Sequence, residues 1–477
     1  MNAPARLDSS YRFDPADPDL IRSPYVPYYE HLRLQPGLHK ASTEYYVASR
    51  HADVRDVITN HAAFGQGNFV HNIQLYYGPG FDPMAHSSYR WLSEVFVMQD
   101  PPAHTRLRKL VAFALTPKRV AAMQPRIQQI VDGLIDAMLA KGDIELLWDF
   151  AYQLPTLVMC DMLGLEGDER SPESLAKLTR AVAESFIVFE TRALPDDILA
   201  NADAQMDYLN EFFGHLYERK RAEPKDDLTS ALVAVRDEDG SMLSKAEVAN
   251  VIVAMFGAGF ETTAHLIGNG MLAMHRQADQ WLALVAQPEE LAPRAVEECL
   301  RYESSLQGTY RTALQPATVG GFEVKPGERV LCLLGAANRD PAVFERAETM
   351  DITRKDSRML SFGGGIHHCI GQQLARLEGR VALRLARHAP APHRGRRGPR
   401  RLATRVPVPG PHGTALPGLT RPRTPAAHGV TCWRATGTPS SARGSLPSRS
   451  AASAAGLRSR WRTRCQARRC PPAGPAW

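Results

Sequence analysis

The longest run of helically spaced apolar residues begins at Ser244. The stretch SKAE at 244–247 has the pattern of a capping box, with Ser244 as the N-cap and Glu247 three residues later. From there the apolar spacing of a helix continues to about Gln277, which corresponds to roughly 30 residues and about 50 Å of helix. A helix of that length in a soluble domain crosses the whole core.

The other patterns predict a mainly α protein with minor β. The 117–142 stretch predicts an amphipathic helix, 176–222 predicts two helices broken by TRALPDD, and the first hundred residues mix short helices with short strands. Segment 319–341 predicts two short strands joined by a turn at Pro326-Gly327. The apolar positions at helical spacing in 117–142 are Val120, Met123, Ile127, Ile130, Val131 and Leu134.

The charge of the chain changes sharply near residue 380. The whole sequence carries 57 Lys and Arg against 51 Asp and Glu, but Gly379–Trp477 contains 20 Arg and no Lys, Asp or Glu. Residues 1–378 therefore hold 37 basic and 51 acidic residues, a net charge of −14. The basic pI comes entirely from the tail, so it does not indicate that the body of the protein binds nucleic acid.

The tail also lacks Ile, Phe, Tyr, Asn and Met, and its Arg, Pro, Ala and Gly cannot sustain a helical or strand period. It is either a disordered, cationic extension that binds nucleic acid or a partner, or an out-of-frame translation of GC-rich coding sequence. The sudden loss of eight residue types favours the second interpretation. We therefore expect a C-terminally incomplete folded domain over 1–387 and a disordered or out-of-frame tail over 388–477.

The body of the chain has the features of a cytoplasmic protein without membrane anchorage. No run of eighteen apolar residues occurs, and the first twenty residues have no apolar signal-peptide core. The seven cysteines show neither CxxC pairing nor a disulfide framework, which is typical of a reducing compartment.

One cysteine has an unusual setting. Cys369 is part of an F-x-x-G-x-x-x-C-x-G pattern over 362–371, and a helix with buried positions Ile370, Leu374, Leu377 and Val381 starts just after it. The thiol could be buried, nucleophilic or a metal ligand. Free N–H groups and the dipole of the helix start favour a thiolate, and the glycines let a flat ligand approach the backbone. A thiolate ligand to iron accounts for this arrangement, whereas a structural thiol does not.

Two further polar stretches interrupt apolar helices. GAGFETT at 257–263 lies inside the long helix, where it is either a close helix–helix contact with a solvated polar face or a local opening for a bound molecule. ECLR at 298–301 places Glu298 and Arg301 one helical turn apart. Glu218 and Arg221 have the same spacing, and we expect them to be a solvated pair.

In this order, GAGFETT, ECLR and FGGGIHHCIG resemble the motifs of the cytochrome P450 family in its soluble bacterial form. DPPAHTRLRKLV at 100–111, TYRTA at 309–313 and ANRDPAVF at 337–344 match as well. The resemblance covers about 12–387, and the motifs together are highly specific. It implies the cytochrome P450 fold, with the long helix crossing the core over a heme and a small β-sheet region.

The resemblance implies heme b as cofactor, with Cys369 as its axial thiolate. Phe362 is expected to pack near the sulfur and Gly371 belongs to the same heme-binding loop, while Ala258 and Gly259 are expected to face the iron. Partners of the two heme propionates are expected at His104, Arg108, Arg311 and His367.

The same resemblance implies that Glu261 and Thr262 are the acid–alcohol pair that delivers protons during oxygen activation. Glu298 and Arg301 become a structural ion pair of the heme-binding core. Substrate contacts are expected from 63–98, from 181–213 and from Leu306 and Gln307.

The implied activity is a monooxygenase that inserts one oxygen atom from O2 into a C–H bond of a mid-sized, largely apolar metabolite, free or carrier-bound. Electrons are expected from a separate ferredoxin or flavodoxin-type donor with its reductase, docked near Arg106, Lys109 and Arg376. We expect a monomer that binds neither membrane nor nucleic acid. The alternative is a non-catalytic heme binder, because the C-terminus departs from the family pattern after about Arg387.

Overall fold

The computed structural model describes residues 11, 13–14, 17, 19–20, 24–35, 37–41, 45–141, 143–238, 240–356, 358–384 and 432–434. They belong to one unit, Met1–Ala435, and the second unit, Thr436–Trp477, lies outside the described residues. The predicted tail over 388–477 therefore also lies outside them, apart from one strand at 432–434.

The described residues are mainly α-helical, as the sequence predicts. The first eight α-helices are α1 Glu30–Leu34, α2 His51–Thr59, α3 Phe69–Tyr77, α4 Ser87–Glu94, α5 Ala103–Ala114, α6 Pro117–Ala122, α7 Gln124–Lys141 and α8 Gln153–Leu163. The following eight are α9 Pro172–Ser185, α10 Asp196–Ala222, α11 Leu228–Ala234, α12 Lys245–Arg276, α13 Ala278–Ala286, α14 Pro288–Tyr302, α15 Leu334–Ala337 and α16 Gln372–Leu383.

The strands in the described part of the chain form three small sheets. They are β1 His39–Lys40, β2 Tyr46–Ala48, β3 Phe64–Gly65, β4 Asp143–Glu145, β5 Thr309–Ala313, β6 Ala317–Val319, β7 Phe322–Val324, β8 Arg329–Cys332 and β9 Cys432–Arg434. Five of them form a sheet in the order β1-β2-β8-β5-β3, in which β2 and β8 are parallel and the other neighbours are antiparallel. Two-stranded antiparallel sheets join β4 to β9 and β6 to β7.

Helix α12 is the predicted core-crossing helix. The Ser244 hydroxyl accepts a hydrogen bond from the Glu247 N–H at 3.2 Å, and the Glu247 carboxylate accepts one from the Ser244 N–H at 2.8 Å, which confirms the capping box. The helix packs against α8, α10, α14 and α16. By length and composition alone α12 could span a membrane, but 72% of its most apolar window is buried inside the protein. Its apolar character is therefore that of a core helix.

The predicted helix over 117–142 is two helices in the structure. Helix α6 ends at Ala122 and α7 begins at Gln124, which places Pro125 in the first turn of α7. Proline lacks the N–H that a helix interior requires, but it fits a first turn, where that N–H has no partner. The apolar spacing is continuous across the break, so periodicity alone did not reveal it.

The predicted turn at Pro326-Gly327 is present, with Gly327 at φ 85° and strands β7 and β8 on either side. A positive φ of this kind is readily adopted by glycine. The two strands do not pair with each other, however. Strand β7 pairs with β6, while β8 pairs with β2 and β5. The hydrogen-bond partners of β8 are thus strands β2 and β5, which are distant from it in sequence.

Glu298 and Arg301 of α14 form the predicted ion pair, and both side chains are 1% exposed. Two parallel bonds of 2.8 Å join the guanidinium to the carboxylate. The guanidinium also donates to the carbonyls of three loop residues, Asn338, Ala347 and Thr349. Because the charges satisfy each other and the loop backbone, the pair fixes the 338–349 segment against α14.

Candidate functional site

The cysteine loop is shaped by two glycines and one backbone hydrogen bond. Gly363 and Gly365 have φ values of 68° and 62°, and a Cβ at Gly365 would lie 2.6 Å from the carbonyl oxygen of Ile58. The Cys369 N–H donates to the Phe362 carbonyl at 2.9 Å. Helix α16 then begins at Gln372, close to the predicted start. The loop therefore presents Cys369 in the turn that leads into α16.

Burial dominates the acidity of the Cys369 thiol and raises its pKa above the ordinary value. The N–H groups of Gly371 and Gln372 and the charges of Arg108 and Arg376 act in the opposite direction. The expected stabilisation of a thiolate at the helix start is thus present, but burial outweighs it. Binding of a metal ion at this sulfur would displace the proton.

Four nitrogen-bearing side chains from three segments meet near the cysteine loop: His104, Arg108, Arg311 and His367. The rings of His104 and His367 are 4.4 Å apart, and their four ring nitrogens are buried. His104 interacts with the backbone of Ile366, whereas neither ring nitrogen of His367 has a hydrogen-bond partner among the described residues. Burial, followed by Arg311, His104 and Arg108, lowers the pKa of His367 to about 2. Burial and Arg108 also lower the pKa of His104.

Such a cluster is suited to an anionic ligand. Unsatisfied buried donors and concentrated positive charge are both costly, and a pair of carboxylates would satisfy them. The predicted donors to two heme propionates are therefore brought together in the structure, next to the predicted sulfur ligand. The donor set fits heme b.

Phe362 is held in place by its neighbours. The Arg376 guanidinium lies 4.5 Å from the centre of the Phe362 ring, and its Nε donates to Glu297 at 2.6 Å. The carbonyl of Phe362 accepts the Cys369 N–H, so ring and sulfur belong to one fixed loop.

One face of α12 is less buried than the rest of the helix. This face is formed by residues spaced four apart, Ala254, Ala258 and Thr262, together with Gly259. Of these, Ala258 is exposed. The Thr262 hydroxyl donates to the Ala258 carbonyl at 2.6 Å. This face is where a bound molecule can reach α12.

Gly259 also makes a close helix–helix contact, one of the two interpretations that the sequence left open. A Cβ at Gly259 would lie 2.9 Å from Sδ of Met159 in α8. The glycine therefore allows α8 and α12 to approach each other. Its approach to a cofactor remains a prediction.

Glu261 is buried, with 7% of its surface exposed, and burial raises its pKa to about 8. Tyr152 lies close enough for Glu261 to raise the pKa of its hydroxyl further, and its Oη is 3.3 Å from Nε2 of His265. Burial lowers the pKa of His265 to about 4. At neutral pH the Glu261 carboxyl is therefore protonated and the His265 imidazole is neutral. Sequence reasoning missed both Tyr152 and His265. The spacing of four residues between Glu261 and His265 on one helical face was the available signal for His265, whereas Tyr152 is distant in sequence and gave no such signal.

We expect the unfolding free energy of the protein to fall as pH rises from about 4.5 to about 8 because of Glu261. A raised pKa means that the folded state holds the proton more tightly than the unfolded state, so this contribution is full at low pH. The change should be on the order of a few kcal/mol. Urea unfolding at several pH values should show a flatter dependence for Glu261→Gln. The exposed Glu211→Gln is the control, and parallel curves for parent and Glu261→Gln would contradict the assignment.

The basic residues expected at a docking surface are all paired with acids. Arg106 binds Glu247 at 2.6 Å, Lys109 binds Asp237 at 3.0 Å and Glu238 at 2.7 Å, and Arg376 binds Glu297 at 2.6 Å. Any attraction of an acidic partner by these cations is thus reduced by their own neighbours.

A partly open cavity lies among α3, the 186–191 turn and strands β5 and β8. It adjoins the cluster of nitrogen-bearing side chains through Arg311. Its apolar lining includes Phe69, Ile73, Leu92, Met98, Val188 and Phe189. Its polar lining includes Gln66, Asn72, Tyr76, Glu190, Thr312 and Arg329. Both segments expected to contact substrate, 63–98 and 181–213, contribute to the wall.

Leu306 and Gln307, which are expected to contact substrate, lie outside the lining of the described cavity. Gln307 donates to the Ser304 carbonyl at 2.6 Å and exchanges hydrogen bonds of 3.3 Å with the hydroxyls of Tyr25 and Tyr29. Leu306 packs against the apolar cluster around the five-stranded sheet. Neither residue lines the described cavity.

Comparison with known proteins matches this arrangement to one class of heme enzyme. The family model described as Cytochrome P450 matches residues 68–280 and 290–386, which is more than half of the chain. The chain therefore belongs to the cytochrome P450 family.

Two relatives are similar over most of their own length. A vitamin D(3) 25-hydroxylase of Pseudonocardia autotrophica is 39% identical over 61% of this chain and 68% of that enzyme. The cytochrome P450 monooxygenase PikC of Streptomyces venezuelae is 41% identical over the same shares of the two chains. The fold is similar to that of P450BioI in complex with a hexadec-9Z-enoic acid-ligated acyl carrier protein, with a TM-score of 0.70 and 29% identity over 78% of this chain and 92% of that one.

The membership confirms the predicted fold, with α12 as the long helix over the heme, and it confirms the enzyme class. The chain is a cytochrome P450 monooxygenase with heme b as its cofactor.

Proposed function

We propose that this enzyme inserts one oxygen atom from O2 into a C–H bond of a mid-sized, largely apolar metabolite. When bound, heme b supplies the activation of dioxygen and the oxidation of the C–H bond. Cys369 would hold the iron through its sulfur, and His104, Arg108, Arg311 and His367 would hold the propionates. The observation that carries this proposal is the pair of buried histidine rings with nearby arginines beside the cysteine loop, in which neither ring nitrogen of His367 has a partner among the described residues.

The proton supply is assigned to α12. Glu261 holds a proton on its carboxyl group at neutral pH, because burial raises its pKa to about 8. The Thr262 hydroxyl lies on the less buried face of the same helix and is oriented by its hydrogen bond to Ala258. Glu261 lies on the buried side of the helix beside Tyr152, so its proposed role is to supply protons that the Thr262 hydroxyl passes toward the less buried face.

The lining of the cavity and the names of two relatives support the proposed class of substrate. Six apolar residues in the cavity lining suit a hydrocarbon body, and the relatives' names include a vitamin D(3) hydroxylase and a fatty-acyl carrier complex. Electrons would come from a ferredoxin or flavodoxin-type protein with its reductase, bound near Arg106, Lys109 and Arg376. We further propose a monomeric, cytoplasmic enzyme whose folded domain is 1–387.

The first test is the carbon monoxide difference spectrum of the purified protein after reduction with dithionite. The strongly red-shifted Soret band of a thiolate-ligated heme is the expected result. Incubation with ferredoxin, its reductase and isotopically labelled dioxygen should then place one labelled oxygen atom in a product. A protein that shows the band but transfers no oxygen to any of a panel of apolar metabolites would be a heme binder and not a monooxygenase.

Loss of the propionate partners should weaken heme retention. His104→Leu and His367→Leu each remove donors that face the expected propionates, so we expect a several-fold faster transfer of heme to apomyoglobin. Absorbance at the Soret band follows the transfer directly. The exposed His61→Leu is the matched control. Equal transfer rates for all three variants and the parent would show that neither His104 nor His367 helps to hold the heme.

A further inference from the structure

A buried arginine without an acidic partner lines the cavity. Arg329 of β8 is 8% exposed. Its Nη1 donates to the Tyr76 hydroxyl, and its Nε has no hydrogen-bond partner. Within the described part of the chain its contacts are with this hydroxyl and two aromatic rings, and none is with a carboxylate.

The two aromatic rings hold the guanidinium in place. Its central carbon lies 4.5 Å from the centre of the Tyr310 ring and 5.7 Å from that of Tyr76. Tyr310 is anchored in turn, because its hydroxyl donates to Thr191 across the cavity at 3.4 Å. The cation is therefore oriented before any ligand binds, which reduces the entropy that binding must cost.

The one carboxylate found in the cavity lining belongs to Glu190, and it interacts with a different arginine. Glu190 lies 3.8 Å from Arg192, a residue outside the lining. Arg329 thus remains a positive charge that is largely removed from water and has no counter-ion. Such a charge is unfavourable unless an anion joins it.

Arg329 and Arg311, an expected propionate partner, both line the cavity but have different neighbours. In the pairing of β5 with β8, Arg311 stands opposite Val330, and Thr312 stands opposite Arg329. Opposite residues share a face and successive residues alternate, so Arg311 and Arg329 leave the sheet on opposite faces. Arg311 lies near His104 and His367, whose pKa values it lowers, whereas Arg329 lies against Tyr76 of α3. The two arginines therefore share the cavity wall, but their different neighbours favour different anions.

We propose that Arg329 binds a carboxylate of the substrate, so that the enzyme selects apolar molecules that carry a carboxylate at one end. The Nε edge of the guanidinium presents donors to the two carboxylate oxygens, and the apolar lining accepts the hydrocarbon body. This inference rests on the proposed function and names the substrate class of that same site.

The test compares dodecanoic acid with methyl dodecanoate, which differ in charge but share a chain. Dissociation constants are measured by isothermal titration calorimetry on the heme-loaded protein at a pH where the acid is ionised. The parent should bind the acid about tenfold or more tightly than the ester. In Arg329→Gln that preference should shrink to within about twofold while the affinity for the ester stays the same. Arg329→Lys, which keeps the charge without the planar fork, should fall between them.

The matched control is Arg192→Gln, which removes an exposed arginine near the same cavity and should keep the full preference for the acid. An acid preference that persists in Arg329→Gln, or its absence in the parent, overturns the proposal. So does a loss of heme in Arg329→Gln that Arg192→Gln does not share, because Arg329 would then bind the cofactor. The carbon monoxide spectrum of each sample distinguishes a failure of this inference from a failure of the proposed function. A parent protein without the red-shifted band refutes the proposed function itself.

Discussion

Cys369→Ser should abolish the strongly red-shifted Soret band of the reduced carbon monoxide complex. Serine keeps the size of the side chain but cannot supply the thiolate that donates electron density to the iron. We therefore expect oxygen transfer to fall by at least about a hundredfold. The loop should persist, because the glycine conformations and the hydrogen bond from residue 369 to Phe362 involve backbone atoms.

The control for this variant is Cys160→Ala, which removes a fully buried thiol in α8. It should keep the red-shifted band at a modest cost in stability. Thermal unfolding of both variants distinguishes a lost ligand from a lost fold. A Cys369→Ser protein that still shows the band would exclude this sulfur as the iron ligand.

The second large effect is expected at Arg301. Arg301→Ala leaves the Glu298 carboxylate buried without its main partner and removes the donors to three loop carbonyls, so the unfolding free energy should fall by about 3–5 kcal/mol. Arg354 lies 3.2 Å from Glu298 and offsets part of this loss. Urea unfolding followed by circular dichroism measures the change.

Arg221→Ala is the matched control, since Glu218 and Arg221 share the same spacing. Their 3.4 Å contact is exposed, with side chains 43% and 66% accessible, so its removal should leave the unfolding midpoint unchanged. Equal effects of the two substitutions would show that the buried pair does not stabilise the 338–349 segment.

Much of the fold was predictable because its signals are local. The capping box at Ser244, the spacing of α12, the helices on either side of TRALPDD and the cysteine loop each depend on a few consecutive residues. The spacing of Glu298 and Arg301, one helical turn apart, also predicted that the two residues interact. What it could not tell was whether such a pair is buried or solvated, because Glu218 and Arg221 have the same pattern.

The sequence by itself indicated the enzyme family and the long helix and predicted Cys369 as the sulfur ligand, since short motifs impose backbone geometry on their own residues. Tertiary structure decided which faces meet. It paired β7 and β8 with other strands, buried Glu261 near Tyr152 and placed Gly259 against Met159. It also left Arg329 without a counter-ion in the cavity. Burial and charge pairing depend on residues far apart in the chain, and no local pattern records them.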